Sequence, residues 1–201
     1  MSIYAARGWE NPGAGRRAWG VAFALSALSV LLVAGEGAVS AQQVSARKFT
    51  EYQIKAAFVF NFMQFVEWPA GPSSDARTPL LIGVLGDDPF GAALEETIRG
   101  ETVHGRPLTV RRKRDAAELK DCQLVFVCRS EKAQVREILG ALRGGSILTV
   151  SDMEHFCRSG GMIGLVNEGG KVRFEINQAA AEQDNLKVSS KLLRLGRPAP
   201  R

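Results

Sequence analysis

Between residues 79 and 152, short apolar runs alternate with segments of helical pattern. The apolar runs are "PLLIGVLGDD", "GRPLTVRRK", "QLVFVC" and "SILTVSD". Continuous apolar runs of this length predict strands that are covered on both faces. Parallel strands are joined by crossovers that are usually helical, so alternating strands and helices favour a mostly parallel sheet. We therefore predict an α/β fold with helices on both faces of the sheet.

The pattern changes in "GMIGLVNEGGKVRFEIN", where two apolar runs are separated only by a Gly-containing turn. This arrangement predicts an antiparallel hairpin near the C-terminus. Residues 42–201 contain no repeat and no stretch with the composition of a domain linker. We predict one domain of α/β class, with the hairpin at one side of the sheet.

Residues 1–41 have the pattern of a secretory signal peptide. Arg16 and Arg17 precede an uncharged apolar run over residues 18–35, and Val39 and Ala41 supply the small side chains of a cleavage site. We predict cleavage after Ala41, which leaves an exported domain of residues 42–201 without stable membrane insertion. An uncleaved anchor is the alternative, since a run of this length can just span a bilayer.

The net charge of the chain is +5. Residues 1–41 carry three arginines and two glutamates, which leaves +4 for the predicted domain. A mildly basic exported protein suits an anionic membrane surface or an acidic partner better than nucleic acid. The densest basic run, "RRKR" at residues 111–114, is interpreted as a solvated strand end.

The segment "EYQIKAAFVFNFMQFVEWP", residues 51–69, is rich in aromatic side chains. Thr50 followed by Gln53 forms a capping box, and Trp68-Pro69 supplies a stop, so the sequence predicts a helix between them. The polar residues do not fall on one stripe, which indicates a helix that is buried on most sides. The charges of Lys55 and Glu67 argue against a membrane span.

The predicted domain contains three cysteines, Cys122, Cys128 and Cys157. Outside the cytosol, one disulfide and one free thiol are the expected outcome. A strand separates Cys122 from Cys128 by about 20 Å, too far for a bond between them. Cys128 with Cys157 is the candidate pair, because both follow strands that we expect to be neighbours. The alternative is three free, buried thiols.

Catalytic patterns are weak. Asp87 and Asp88 have no accompanying histidine or metal motif, and Ser151 lies outside any nucleophile elbow. His155 and Cys157 lack the further ligands that a zinc site needs. We predict no catalytic residues, no bound metal and no cofactor.

Asp87, Asp88 and Asp152 follow strand ends, where open α/β sheets usually bind ligands. These three carboxylates are a candidate crevice for a cationic or hydroxylated ligand. A periplasmic protein that binds or senses a small ligand is therefore the alternative function.

A series of segments resembles the YfiR family of periplasmic proteins, in the order that the family has them. The segments are "EYQIKAAFVFNFMQFVEWP", "IGVLGDDPFGAALE", "GRPLTVRR", "DCQLVFV", "ILTVSDMEHFCRSGGMIGLV", "VRFEINQAAA" and "LKVSSKLLRLG". Together they cover nearly all of the predicted domain.

The resemblance implies an exported repressor without enzymatic activity. Members of the family bind the periplasmic region of an inner-membrane diguanylate cyclase and hold down cyclic-di-GMP synthesis, with redox state and envelope stress tuning that interaction. It also implies an α/β sandwich that forms a homodimer. For the partner contact we single out "FCRSGGMIGLV", with Phe156, Met162, Ile163 and Leu165. The alternative for these residues is a role in the core.

One departure from the family bears on its redox response. Members with two disulfides are similar to this chain at Cys122 and Cys157, but the partner positions are Gly83 and Gly164 here. Those two bridges therefore cannot form. Cys128 can offer a substitute pairing, or the redox response has been lost.

Overall fold

The structure is a computed structural model that describes residues 38–69 and 78–199, with side chains from residue 51 onward. Almost all of the predicted signal peptide, residues 1–41, lies outside the described residues. The α-helices are α1 (Ala38–Phe65), α2 (Ala93–Ile98), α3 (Val135–Leu142), α4 (Gln178–Gln183) and α5 (Ser190–Leu195). The strands are β1 (Val66–Glu67), β2 (Leu80–Leu85), β3 (Thr102–Val103), β4 (Arg106–Lys113), β5 (Leu124–Val127), β6 (Leu148–Ser151), β7 (Ile163–Glu168), β8 (Lys171–Ile176), β9 (Lys187–Val188) and β10 (Arg197–Pro198). Short 3₁₀ turns cover Ala116–Leu119, Arg129–Gln134 and Cys157–Ser159.

The sheet confirms the predicted α/β class. Within the described ranges its strand order is β10-β8-β7-β6-β5-β2-β4-β3. The pairs β2 with β4, β2 with β5, β5 with β6 and β6 with β7 are parallel. The predicted hairpin is β7 with β8, which pair antiparallel from Ile163 opposite Ile176 to Glu168 opposite Lys171.

The hairpin turn consists of Gly169 and Gly170, both in the left-handed region with φ of 57° and 78°. A two-residue turn of this kind matches the right-handed twist of the strands, and glycine adopts it without steric cost.

Helices cover both faces of the sheet, as predicted. On one face, α1 and α2 pack Phe62 and Leu94 against strand residues such as Ile82 and Phe126. On the other, α3 packs Leu139 against β5 and the end of β2. Each fully buried aromatic or aliphatic side chain contributes about 1.5–3 kcal/mol through removal of apolar area from water.

Helix α1 differs from its predicted bounds. It begins at Ala38 rather than after Thr50, and it ends at Phe65, with β1 formed before Trp68-Pro69. The capping box marks a favourable helix start, but an upstream segment of good helix formers lets the helix run through it. β1 pairs antiparallel with β9, a strand that the sequence does not predict.

Two of the segments between strands form only short helices. The segment from Pro89 to Arg99 contains α2 over Ala93–Ile98, and the segment after Ser130 begins as a 3₁₀ turn before α3. Asp115 caps the 3₁₀ turn over Ala116–Leu119, because its side chain accepts a hydrogen bond from Ala117 N.

Candidate functional site

A buried group of charged side chains joins α1 to the carboxyl ends of β5 and β6. Lys55 Nζ lies 2.6 Å from Asp152 Oδ2, and Tyr52 Oη donates to the same oxygen at 2.8 Å. Arg129 Nη2 lies 3.2 Å from Asp152 Oδ2, and Glu51 Oε1 lies 2.6 Å from Lys55 Nζ. We call these five residues the Asp152 cluster.

The centre of the cluster is closed to solvent. The side chains of Lys55 and Asp152 are 2% and 1% exposed, whereas that of Arg129 is 62% exposed. Burying a lysine and an aspartate is costly unless their charges are matched by close partners, and here they match each other. The cluster therefore fixes the position of α1 on the sheet.

The local sequence explains why these groups meet. Tyr52 and Lys55 are three residues apart on α1, so they lie on the same side of the helix. Asp152 directly follows β6, and Ser151 holds that turn. Ser151 Oγ donates to Val127 O at 2.7 Å and accepts from Met153 N at 3.0 Å.

Asp152 uses its two carboxylate oxygens unequally. Oδ2 has three cationic or hydroxyl partners, whereas Oδ1 is buried without a hydrogen-bond partner among the described residues. Burial, the hydrogen bond to Asp152 and the charge of that carboxylate raise the pKa of the Tyr52 hydroxyl. Tyr52 is therefore a fixed hydrogen-bond donor at neutral pH and not a proton-transfer group.

The structure brings the three candidate crevice carboxylates to the same edge of the sheet, but pairs each with a cation. Asp152 is bound by Lys55 as described above. Asp87 accepts from Arg114 at 2.6 Å, and Asp88 accepts from Arg112 Nε at 2.6 Å. Each of the three carboxylates thus already has a cationic partner within the chain, and the crevice for a cationic or hydroxylated ligand stays a prediction.

The basic run at residues 111–114 is matched by carboxylates. Arg111 pairs with Asp121, Arg112 with Asp88 and Glu95, Lys113 with Glu118, and Arg114 with Asp87. The hydrogen bond with Glu95 raises the pKa of Arg112, which therefore keeps its charge. The run does not offer a concentrated positive surface to nucleic acid or anionic lipid.

The four candidate partner-binding residues are buried in the described chain. Phe156 packs in the cluster under α3, and Met162, Ile163 and Leu165 pack in the cluster under α1. Their burial fits the alternative interpretation, in which they form the core beneath the hairpin.

The three cysteines are free and buried. Cys128 belongs to the apolar cluster under α1. Cys157 Sγ lies 3.3 Å from the position of a Cβ on Gly164, which faces away from Ile163 and Leu165 and hence away from that cluster. The Cys128–Cys157 pair that the strand order favours is not bonded in the structure, because the two thiols lie on opposite faces of the sheet.

The Asp152 cluster and the buried thiols stabilise the fold and do not form a reactive centre. Among the described residues, no group of three or more His, Cys, Asp or Glu side chains has the geometry of a metal site. Burial raises the pKa of Cys128 to about 12 and of Cys157 to about 12, so neither is a thiolate nucleophile at neutral pH.

Within the described part of the chain, no helix has the length and hydropathy of a membrane span.

Sequence reasoning identified Asp152 but missed Tyr52, Lys55 and Arg129 as its partners. The available signal is Lys55, the one cation in residues 51–69, which lies between the apolar residues Ile54 and Ala56. A charge in that setting predicts a buried partner, although the sequence does not indicate which carboxylate it is.

Comparisons with known proteins bear on the described domain. A family model described as YfiR/HmsC-like matches residues 52–197. Among solved structures, a conserved domain protein from Vibrio cholerae O1 biovar El Tor is 12% identical, with a TM-score of 0.44 over 58% of this chain and 53% of that chain. The chain thus spans about half the length of that protein. No curated protein matches the chain.

Proposed function

The chain belongs to the YfiR/HmsC-like family, and we propose that it represses an inner-membrane diguanylate cyclase, or a similar sensor, by binding its periplasmic region. Proteins of this family are periplasmic regulators. The observation that carries the proposal is the family match, which extends from Tyr52 in α1 to Arg197 in β10. Regulation of cyclic-di-GMP synthesis from the periplasm is the resulting role.

The site chemistry supports binding over catalysis. The carboxylates at the strand ends are held by arginines or by Lys55, and the thiols are buried. A protein whose ionisable groups are matched within the fold offers shape and surface to a partner, rather than a reactive group to a substrate.

The proposal includes export of the domain. Residues 1–41 act as the signal peptide, and residues 42–201 form the regulatory domain. Export places the domain beside the periplasmic segments of inner-membrane proteins, where a soluble repressor acts on a cyclase whose catalytic domain lies in the cytoplasm.

A cyclic-di-GMP reporter in a strain that lacks the gene tests this role. We expect the full chain to lower the reporter signal and residues 42–201 without the leader to leave it high, because the leaderless domain folds in the wrong compartment. The matched control replaces residues 1–41 with an unrelated cleavable signal peptide, which should restore repression. Equal repression by the leaderless domain would contradict the periplasmic mode of action.

Cross-linking in whole cells identifies the partner. A tagged full chain should recover a membrane protein with a cyclase domain from the envelope fraction, and the leaderless domain should not. Repeated recovery of no cyclase or sensor, together with an unchanged reporter, would overturn the proposal.

A further inference from the structure

The positive charge of the predicted domain is concentrated near its C-terminal end. Residues 42–201 have a net charge of +4, whereas residues 185–201 alone have +5 and contain no Asp or Glu, which leaves −1 for residues 42–184. The five cations are Lys187, Lys191, Arg194, Arg197 and Arg201. The basic character of the domain thus belongs to one short segment, most of which forms β9, α5 and β10.

Two of these cations have no carboxylate partner in the part of the chain that the structure describes. Arg197 pairs with Glu168, and Lys187 lies opposite a glutamate of β1. The ion pairs of the described residues include neither Lys191 nor Arg194. In the basic run that ends β4, by contrast, each cation is matched by a carboxylate.

The packing of α5 directs both of these cations and a leucine to solvent. Leu192 is buried in the apolar cluster under α1, and Ser189 Oγ caps the helix by accepting a hydrogen bond from Leu192 N at 3.2 Å. Lys191, Arg194 and Leu195 are exposed, and their spacing of three and four residues places them on one side of the helix. We call these three residues the α5 face.

Leu195 projects from the domain. Its exposed fraction is 64%, larger than that of any other large apolar side chain among the described residues. The next residue, Gly196, lies directly on the core, because a Cβ there would be 2.6 Å from Phe174 Cε2. At the other end of the α5 face, Lys191 Nζ lies 4.9 Å from the ring centre of the half-buried Phe65. The two cations are therefore accompanied by apolar groups at both ends of the face.

An exposed leucine beside cations on one side of a helix is typical of a segment that binds an anionic membrane surface. The leucine enters the boundary of the acyl chains, and the long side chains of lysine and arginine reach the lipid phosphates. A folded protein partner fits this face less well. Lysine is depleted in protein–protein interfaces, and leucine is under-represented among the residues that dominate their affinity.

We propose that the α5 face binds the surface of a membrane that contains anionic phospholipid. The contact is peripheral and reversible, because each cation near such a surface strengthens partitioning only about fivefold. A domain held there is confined near the plane of an inner-membrane partner, which raises its effective concentration. The inference rests on the export that the proposed function includes, but it does not require a cyclase.

Co-sedimentation with phospholipid vesicles tests the proposal. The exported protein, purified from the periplasm, should bind vesicles of phosphatidylcholine and phosphatidylglycerol in equal parts at least about tenfold more tightly than vesicles of phosphatidylcholine alone. Raising the salt from about 0.1 M to about 1 M should release it, because the screening length falls from about 10 Å to about 3 Å. Absence of binding to the anionic vesicles, or equal binding to both kinds, would overturn the proposal.

Substitutions in the α5 face locate the contact. Arg194→Glu replaces an attraction with a repulsion and should weaken binding to the anionic vesicles about 25-fold. Arg136→Glu is the matched control, because it makes the same charge change at an exposed position of α3, on the opposite face of the sheet, and should change binding less than about twofold. Leu195→Ser keeps the charge and should weaken binding at least about threefold. Equal effects of Arg194→Glu and Arg136→Glu would contradict a contact through α5.

Soluble polyglutamate distinguishes a lipid surface from an acidic protein partner. It should compete weakly with the anionic vesicles, because it offers no apolar layer to Leu195. Binding to polyglutamate that is as tight as binding to the vesicles, and unchanged by Leu195→Ser, would favour an acidic protein and overturn the proposal. Repression by a chain that does not bind vesicles would contradict this inference alone, whereas vesicle binding without repression would contradict only the proposed function.

Discussion

Lys55 and Asp152 form a buried ion pair that holds α1 against the carboxyl end of β6. Their side chains are 2% and 1% exposed, with 2.6 Å between Nζ and Oδ2. Removing the lysine alone leaves a buried carboxylate with only Tyr52 and the partly exposed Arg129. We expect Lys55→Met to lower the free energy of unfolding by about 3 kcal/mol.

Urea denaturation of a double-mutant cycle measures this coupling. Lys55→Met with Asp152→Asn should cost about 2 kcal/mol less than the sum of the two single substitutions, since the second change removes the stranded charge. Glu51→Gln serves as the control, because Glu51 is more exposed than the central pair and should contribute no more than about 1 kcal/mol. Additive single effects would show that the pair is not coupled.

The cysteine thiols have their own dependence on pH. Burial raises the pKa of Cys122 to about 11, and of Cys128 and Cys157 to about 12, from an ordinary value of about 8.5. A raised pKa means that folding favours the neutral thiol. This contribution to stability is present below about pH 8.5, and it is lost as the pH rises through 11 to 12.

Thiol titration with Ellman's reagent at pH 8 checks this behaviour. The native chain should react slowly, and the chain in denaturant should give all three thiols. The free energy of unfolding should fall above about pH 9, with the raised pKa of Tyr52 acting in the same direction. One reactive thiol in denaturant would instead reveal a disulfide, and Cys122→Ser would identify whether Cys122 is the free one.

At the scale of elements, the sequence was most informative where periodicity and burial agree. The segments that form β2, β5 and β6 are continuous apolar runs, too short for a typical helix and typical of a strand covered on both faces. The residues alone therefore predicted that these segments are strands. The strands β9 and β10 were not, because each pairs with a strand elsewhere in the chain. The start of α1 was not either, because upstream helix formers extend the helix past the capping box. β1 and β9 pair Val66 with Val188 across most of the domain, and no local pattern encodes such a pairing.

Two glycines show how closely neighbouring elements approach on the face of the sheet opposite α1. A Cβ on Gly83 in β2 would lie 3.2 Å from Cys122 Sγ, and a Cβ on Gly164 in β7 would lie 3.3 Å from Cys157 Sγ. In a disulfide, each Cβ is about 3 Å from the sulfur of the other residue. The structure therefore places both glycines at positions from which a cysteine would reach its partner.

We expect Gly83→Cys and Gly164→Cys to form disulfides with Cys122 and Cys157. The first bond closes the longer loop and should raise the free energy of unfolding by up to about 4 kcal/mol. Crowding lowers this gain, because the new Cβ would lie 3.1 Å from side-chain atoms of Leu119 and Val125. The shorter loop closed by the second should add about 2 kcal/mol. Melting curves with and without dithiothreitol measure both gains. Gly140→Cys, with no neighbour within 4 Å of its Cβ position, should show no such difference; a difference absent from all three variants would refute the pairing.

For the whole molecule, the α/β class followed from the order of apolar runs, but the candidate site did not follow from the chain order. Strand ends indicated Asp87, Asp88 and Asp152, and the structure does place them at one edge. Arg112, Arg114 and Lys55 neutralise these carboxylates. That pairing depends on side-chain directions, which hydrophobic periodicity and residue spacing in the sequence do not give. The same limit applies to Cys128 and Cys157, because strand order predicts adjacency but not which face each thiol occupies.

The compartment of the whole chain is the last property that the sequence predicts and that experiment can decide. If Ala41 is the residue before the cleavage site, the exported protein should begin at Gln42, and its intact mass should match residues 42–201. Ala41→Arg should block cleavage and leave the full chain in the membrane fraction, because signal peptidase requires a small side chain at that position. Gln42→Ala, one residue beyond the site, should leave cleavage unchanged. Recovery of the unmodified full chain from the membrane would favour the uncleaved anchor.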